Sequence, residues 1–528
     1  MRKIVIFGLA LFAFITASAK QPIKPTANTK VYSLVFDSKN FVTEKGEAGG
    51  KTITYRAYKN VVYVSKPVDT KYQSMNIFIP EAYFQGKTVN GYNKDTAPIF
   101  MPNNVGGYMP ATPGTAKMER PEGMPGMPEE MKKPEGDKPA DMPKDMPDMK
   151  TMPSRPNTIL EALARGYVVA APGIRGRSLK DSKGNYYGKA PAFIVDYKAA
   201  VRYLRFNDKL MPGTAEHIIS NGTSAGGALS VLIGATGNST DYDKYLNEIG
   251  AADAEDDIYA VSAYCPITNL DNADAAYEWL FNSSKTFKKM ARGGMIDFRT
   301  KREEVADTLT AQQIEISNKL KALFPAYINS LNLQDKDGDE LTLDKDGNGS
   351  FKDYVMSYVI ASAQKALNNG SDLSNIPWLT IKNGSVETID FDKYIQSITR
   401  MKTPSAFDGL DLSTGENDEF GTATVSAQHF TKFGMDNSTT SGTMADAKII
   451  KMLNPMNYID NDDATPAKHW RIRHGTIDRD TSLAIPLILA TKLKNCGYDV
   501  DIALPWNTPH SGDYDLNELF NWIDGLCK

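Results

Sequence analysis

From residue 166 onward the chain alternates between two hydrophobic periods. "GYVVAAPG" (166–173) is a wholly apolar run ending in a turn, the pattern of a strand covered on both faces. "FIVDYKAAVRYLRFN" (193–207) places Ile194, Tyr197, Val201 and Leu204 at helical spacing. "HIISNG" (217–222) predicts a short strand, "AGGALSVLIGAT" (225–236) a buried helix rich in small residues, and "IYAVSAYCP" (258–266) another strand. The alternation resumes near the C-terminus. "HWRIRHG" (469–475) and "YDVDIALPW" (498–506) predict strands. "TSLAIPLILATKLKNCG" (481–497), with Pro486 in its early turns, and "LNELFNWIDGL" (516–526) predict helices. Upstream, "SMNIFIP" and "APIFMP" are two more strand candidates within 74–102. Strand–helix–strand order with continuous apolar strands predicts an α/β fold with a mostly parallel central sheet.

Two stretches break this pattern. Residues 111–156 are dense in Pro, Met, Lys and acidic residues, too polar to bury a core, and are expected to form a disordered loop. Its methionines Met124, Met127 and Met131 have a spacing that could offer thioether ligands to Cu(I), although prolines interrupt them and no His or Cys joins them. Residues 280–445 are richer in charge and in helical stretches such as "REEVADTLTAQQIEISNKLKALF", and are expected to form an inserted, mainly helical lid domain. The α/β body then comprises 20–279 and 446–528. Inside the insertion, Asp344, Asp346 and Asn348 open like a calcium loop, but Val355 stands where a bidentate Glu is needed. A polar turn capped by Asx side chains is the better reading.

Composition narrows the function. Residues 1–19 read as a signal peptide: Arg2 and Lys3, an apolar run over 4–15, then Ala17-Ser18-Ala19. No lipobox cysteine follows, so a secreted or periplasmic chain with no membrane partner is expected. The net charge of −4 becomes −6 once Arg2 and Lys3 are removed, which argues against nucleic acid. Of three cysteines, Cys265, Cys496 and Cys527, the last two are the candidate disulfide pair.

The chemistry centres on "HIISNGTSAGGALSVL". It reads as strand, sharp turn and helix, with Ser224 between Gly222 and Gly226, the context of a nucleophile elbow. Side chains at the two glycines would clash where strand meets helix. The Ala225 N–H, opening the helix, would face a developing oxyanion. A second donor is expected from the loop "FMPNNVGGY", with Gly106 and Gly107 as candidates. A serine needs a base. Of five histidines, His510 follows the last strand, where the order Ser…Asp…His puts it; His474 is the rival, more simply read as a hydrogen-bonded strand-end residue. "HGTIDRD" supplies Asp478 as the acid, with Asp480 as the alternative. No cofactor is required for such acyl chemistry.

"NGTSAGGALS", "HGTIDRDTSLAIPLILATKL" and "PHSGDYD" together resemble the bacterial tannases and their feruloyl-esterase-like relatives, α/β-hydrolases with a large inserted lid. The resemblance extends to "YQSMNIFIPEAYF" and "APIFMPNNVGGYMP". It implies a small-molecule substrate, an ester of gallic or a related phenolic acid. It also implies that Lys402, Glu416 and Asp480 bind the ring hydroxyls. A feruloyl or general esterase and a serine peptidase remain alternatives on this fold. A non-catalytic copper binder using the methionine loop is the alternative from another class.

Overall fold

The computed structural model describes residues 30–116, 157–290 and 304–528, of which Tyr32–Lys528 form one compact unit. The signal peptide and the methionines Met124, Met127 and Met131 lie outside the described residues. In chain order the strands are β1 (Val42–Ala48), β2 (Lys51–Val62), β3 (Ser74–Pro80), β4 (Pro98–Pro102), β5 (Val168–Pro172), β6 (Thr214–Thr223) and β7 (Ala260–Tyr264). There follow β8 (Thr286–Met290), β9 (Glu304–Thr308), β10 (Leu379–Lys382), β11 (Ser385–Ile389), β12 (His469–Arg473) and β13 (Asp499–Ala503).

Among the described residues nine strands form the central sheet, in the order β1-β2-β3-β5-β4-β6-β7-β12-β13. From β5 to β13 every neighbouring pair is parallel, as continuous apolar strands require. β3 and β5 are buried along their whole length. The sequence pattern misses the antiparallel edge. β1 pairs with β2, β2 with β3 and β3 with β5, all antiparallel. β1 reads "VTEKGEA", alternating and charged, as suits a solvated edge strand rather than a core one.

Helices cross between the parallel strands at Ala192–Phe206, Ala225–Ala235 and Ala484–Asn495, and Leu516–Cys527 closes the chain. The helix Ala225–Ala235 is buried on every side, which its run of Ala, Gly, Leu and Val permits.

Between β7 and β12 lie the helices Ala311–Ser330, Ser350–Asn368 and Phe391–Ile398 and the hairpins β8–β9 and β10–β11. The helical reading of 302–324 begins too early. Glu304–Thr308 pairs with β8, and the helix opens only at Thr310, whose side chain and that of Gln313 form a reciprocal capping box. The core is continuous across this insertion: Trp279 packs on Phe324, Phe351 and Phe391.

Two further expectations are corrected. The stretch expected to be disordered from 111 is ordered through 116. Ala111 exchanges hydrogen bonds with Ile174 at 3.0 and 2.8 Å, and Ala116 is buried. Cys496 and Cys527 form no disulfide, and all three cysteines are free thiols. Cys496 ends a helix that packs on Leu270–Phe281, whereas Cys527 ends one that packs on Thr158–Ala164, so the two thiols lie among different neighbours.

At Asp344, the Oδ1 atom accepts the backbone N–H groups of Asp346 and Asn348, both at 2.9 Å. This is the Asx-capped turn, and it leads into the helix Ser350–Asn368.

Candidate active site

The polypeptide turns sharply between β6 and the helix Ala225–Ala235. Ser224 sits at the turn with φ 62° and ψ −124°, a conformation that L-residues rarely hold. Its N–H donates to Tyr264 O at 3.0 Å, tying the elbow to the end of β7. The glycines around it are steric requirements. A Cβ on Gly222 would lie 2.2 Å from Gly226 O, and one on Gly226 would lie 2.5 Å from Asn103 Oδ1. Gly227, a residue the sequence did not single out, is as tight: its Cβ would lie 2.6 Å from Tyr264 O.

Asp478 and His510 lie on the loops after β12 and β13. His510 Nδ1 and Asp478 Oδ2 are 2.8 Å apart, and Asp478 Oδ1 also accepts the Asp480 N–H at 2.8 Å. That leaves His510 Nε2 as the ring nitrogen away from Asp478 and fixes which tautomer can serve as a base. The two loops touch. A Cβ on Gly475 would lie 1.9 Å from Thr508 O, and Thr476 Oγ1 accepts the Asn507 N–H at 2.8 Å. The loop carrying His510 reaches the elbow, because a Cβ on Gly512 would lie 1.8 Å from Thr223 Oγ1. Among the described residues no hydrogen bond joins Ser224 Oγ to His510, a looseness common before substrate is bound.

Burial resists ionisation of both partners, but their mutual attraction prevails for each. Burial would raise Asp478, yet His474 and His510 draw it down to about 2. Burial would lower His510, yet Asp478, Cys265 and Asp480 hold it above the ordinary histidine range.

His474, the rival base, is fully buried behind Asp478, with Nδ1 3.7 Å from Asp478 Oδ2. The hydrogen bond expected of it as a strand-end residue is not made, since neither ring nitrogen has a partner. Burial holds it below the usual histidine range, with the Asp478 charge opposing the shift. Cys265 is a second neighbour the sequence missed. Its thiol donates to Ser511 O at 3.2 Å beside His510, and burial pushes it up, which leaves it a poor nucleophile.

Residues that carry no motif link the remaining candidates, of which Gly106 lines one cavity, Lys402 and Glu416 line another, and Asp480 lines neither. Ala225 opens its helix with its backbone N–H at the elbow, and Gly106 lines the same cavity as Ser224. Gly107, at φ +55°, turns its carbonyl to Arg177, whose Nε donates to it at 2.8 Å. The same guanidinium pairs with Asp418, on the short helix Gly415–Glu419 that carries Glu416. Lys402 and Glu416 line one cavity of about 570 Å³. Lys402 is clamped on both sides: its N–H donates to Tyr277 Oη at 3.0 Å, and its carbonyl accepts Arg400 Nε at 2.8 Å. Tyr277 Oη in turn donates to Arg479 O at 3.0 Å, the residue between Asp478 and Asp480. One phenol thus joins the Lys402 segment to the acid loop. Asp480 Oδ2 lies 3.9 Å from His510 Nδ1, too far for it to replace Asp478.

Under the site, Arg471 and Arg473 are buried in β12, where a parallel strand would ordinarily carry apolar residues. Arg471 pairs with Asp515, which also accepts Tyr264 Oη at 2.5 Å, so the strand anchors the loop that presents His510. An arginine pair in a strand and the acid pair of "SGDYD" were the available signal.

The BD-FAE family model, a feruloyl-esterase-like α/β-hydrolase family, matches residues 146–314. No curated protein sequence matches the chain. Among solved structures, Fusobacterium nucleatum tannase is 50% identical with a TM-score of 0.84, covering 94% of this chain and 100% of that one. Tannin acyl hydrolase from Lactobacillus plantarum is 46% identical with a TM-score of 0.82, covering 94% and 99%. A tannin acyl hydrolase solved with ethyl gallate is 46% identical with a TM-score of 0.83, covering 94% and 99%.

Proposed function

The chain belongs to the tannase family of carboxylic ester hydrolases, and we propose that it cleaves galloyl or closely related phenolic acid esters through an acyl-enzyme on Ser224. Ser224 Oγ attacks the ester carbonyl while His510 Nε2 takes its proton. Asp478 holds Nδ1 and stabilises the imidazolium. The N–H groups of Ala225 and Gly106 face the oxyanion. His510 then protonates the leaving alcohol, the Ser224 ester forms, and water activated by the same histidine releases the acid. In this reading residues 280–445 act as the lid that brings Lys402 and Glu416 over the ring. Phenolic hydroxyls donate to Glu416 and Asp480, and the Lys402 ammonium bonds their oxygens. The mature chain, exported, begins near Lys20.

The observation that supports the substrate is that Lys402 and Glu416 line one cavity while Tyr277 ties the Lys402 segment to the loop of Asp478 and Asp480. Methyl gallate and methyl ferulate, with Ser224→Ala as control, test it. Gallate should be turned over faster, and the control should lose at least about a thousandfold in kcat. Equal or better turnover of the ferulate overturns the gallate assignment and favours the feruloyl reading that the BD-FAE match supports. Lys402→Met and Glu416→Gln each remove a charged hydrogen bond, worth about 1.5–3 kcal/mol. Each should lower kcat/KM for methyl gallate about 10- to 100-fold and narrow its lead over methyl benzoate.

A further inference from the structure

The helix Leu270–Phe281 buries three polar side chains on one face: Asp274, Tyr277 and Glu278, at the i, i+3, i+4 spacing that sets side chains beside one another. The triad chemistry uses neither acid, yet both are buried, which is costly for a carboxylate. All three reach the segments that carry Lys402 and Glu416. Asp274 accepts the N–H groups of Phe407 and Asp408, both at 2.8 Å. Asp408 in turn accepts Nδ2 of Asn417, the residue after Glu416, at 2.7 Å. Thr414 caps that short helix, its Oγ1 accepting the Asn417 N–H at 3.0 Å. Glu278 pairs with Arg400, whose Nη1 lies 3.0 Å from Oε2 and whose Nε donates to the Lys402 carbonyl. Tyr277 Oη accepts the N–H groups of Met401 and Lys402. The Phe407 ring lies 4.1 Å from Lys402 Nζ, so Asp274 also places the aromatic face on which that ammonium rests. The same helix is tied to the nucleophile. It follows β7, whose last residue Tyr264 accepts the Ser224 N–H, and the Ile267 N–H donates to Ser224 O at 3.3 Å. A galloyl ester must place its carbonyl at Ser224 while its ring hydroxyls meet Lys402 and Glu416. One strand–helix unit joined to both ends fixes that separation.

We propose that Asp274 and Glu278 are positioning residues for the ring site. Asp274 sets Glu416 through Asp408 and Asn417, and Glu278 sets Lys402 through Arg400. This rests on the ring assignment proposed above, and neither acid touches the substrate.

The test is kcat/KM for methyl gallate and methyl benzoate in Asp274→Asn and Glu278→Gln, which keep the side-chain shape. Each should lower the gallate value about three- to tenfold, the worth of one neutral hydrogen bond, and leave benzoate within about twofold. Each loss should disappear, to within about twofold, when Lys402→Met and Glu416→Gln are already present, because a residue acting through those two has nothing left to place. Thr414→Val, at a half-buried position, reads the Glu416 route alone and decides the matter if a buried variant does not fold. Its loss should vanish in Glu416→Gln. Gallate and benzoate falling together, or losses that persist once the ring contacts are gone, would overturn the proposal in favour of a purely structural role. Failure of the ring assignment looks different: Lys402→Met and Glu416→Gln themselves would leave the gallate-to-benzoate ratio unchanged, and the positioning roles would fall with it.

Discussion

Ser224 shows how one residue's backbone can be read from its neighbours. Its positive φ was foreshadowed by Gly222 and Gly226, which have no room for a Cβ. The Asp478–His510 pair was legible too, because strand order fixes which loops face the elbow. Cys265 was not legible as a neighbour of that pair, since nothing local ties it to His510, whereas His474 stands four residues before Asp478. The electrostatics give a pH prediction. Asp478 holds His510 above the free-histidine value, so the base form is favoured only as pH rises. The acidic limb of kcat/KM should therefore lie above about pH 6.5. Asp478→Asn removes the negative charge, so the limb should move to lower pH while kcat falls by about 10⁴-fold. A limb that stays in place in this variant would mean that Asp478 does not set the base.

Among elements, the loop of Gly106 and Gly107 and the short helix Gly415–Glu419 are joined by Arg177, which reaches Gly107 O and Asp418 together. Arg177→Gln should lower kcat about tenfold and raise KM for galloyl esters, because both the donor loop and Glu416 lose their register. Arg177→Lys should restore only part of this, since a point charge cannot span both partners. Steady-state kinetics of the two variants on methyl gallate decide it. The parallel strands were legible because burial on both faces leaves a continuous apolar run. β1 and β2 were not, because an edge hairpin is patterned by solvent on one side. The sequence pattern extends the helix over β9 because charged residues precede a true helix, and only Thr310 marks where that helix starts.

Across the fold, the free cysteines give a direct check. Melting temperature should be the same with and without dithiothreitol, and alkylation of the native protein should label exposed Cys496 well before buried Cys265. A reductant-dependent melting temperature would restore the Cys496–Cys527 pair. The sequence sufficed for what repeats locally or follows chain order: the parallel sheet, the sharp turn at Ser224, and the loops that carry Asp478 and His510. Only family resemblance marks Lys402 and Glu416, the residues proposed to bind the ring, because they look like ordinary surface charges until they share a cavity. What required the folded chain was every contact between distant segments. Tyr277 ties Lys402 to Arg479, Arg177 ties Gly107 to Asp418, and Arg471 anchors Asp515. A hydrogen bond between residues tens to hundreds of positions apart leaves no periodicity in either partner, so the chain must fold before it can be seen.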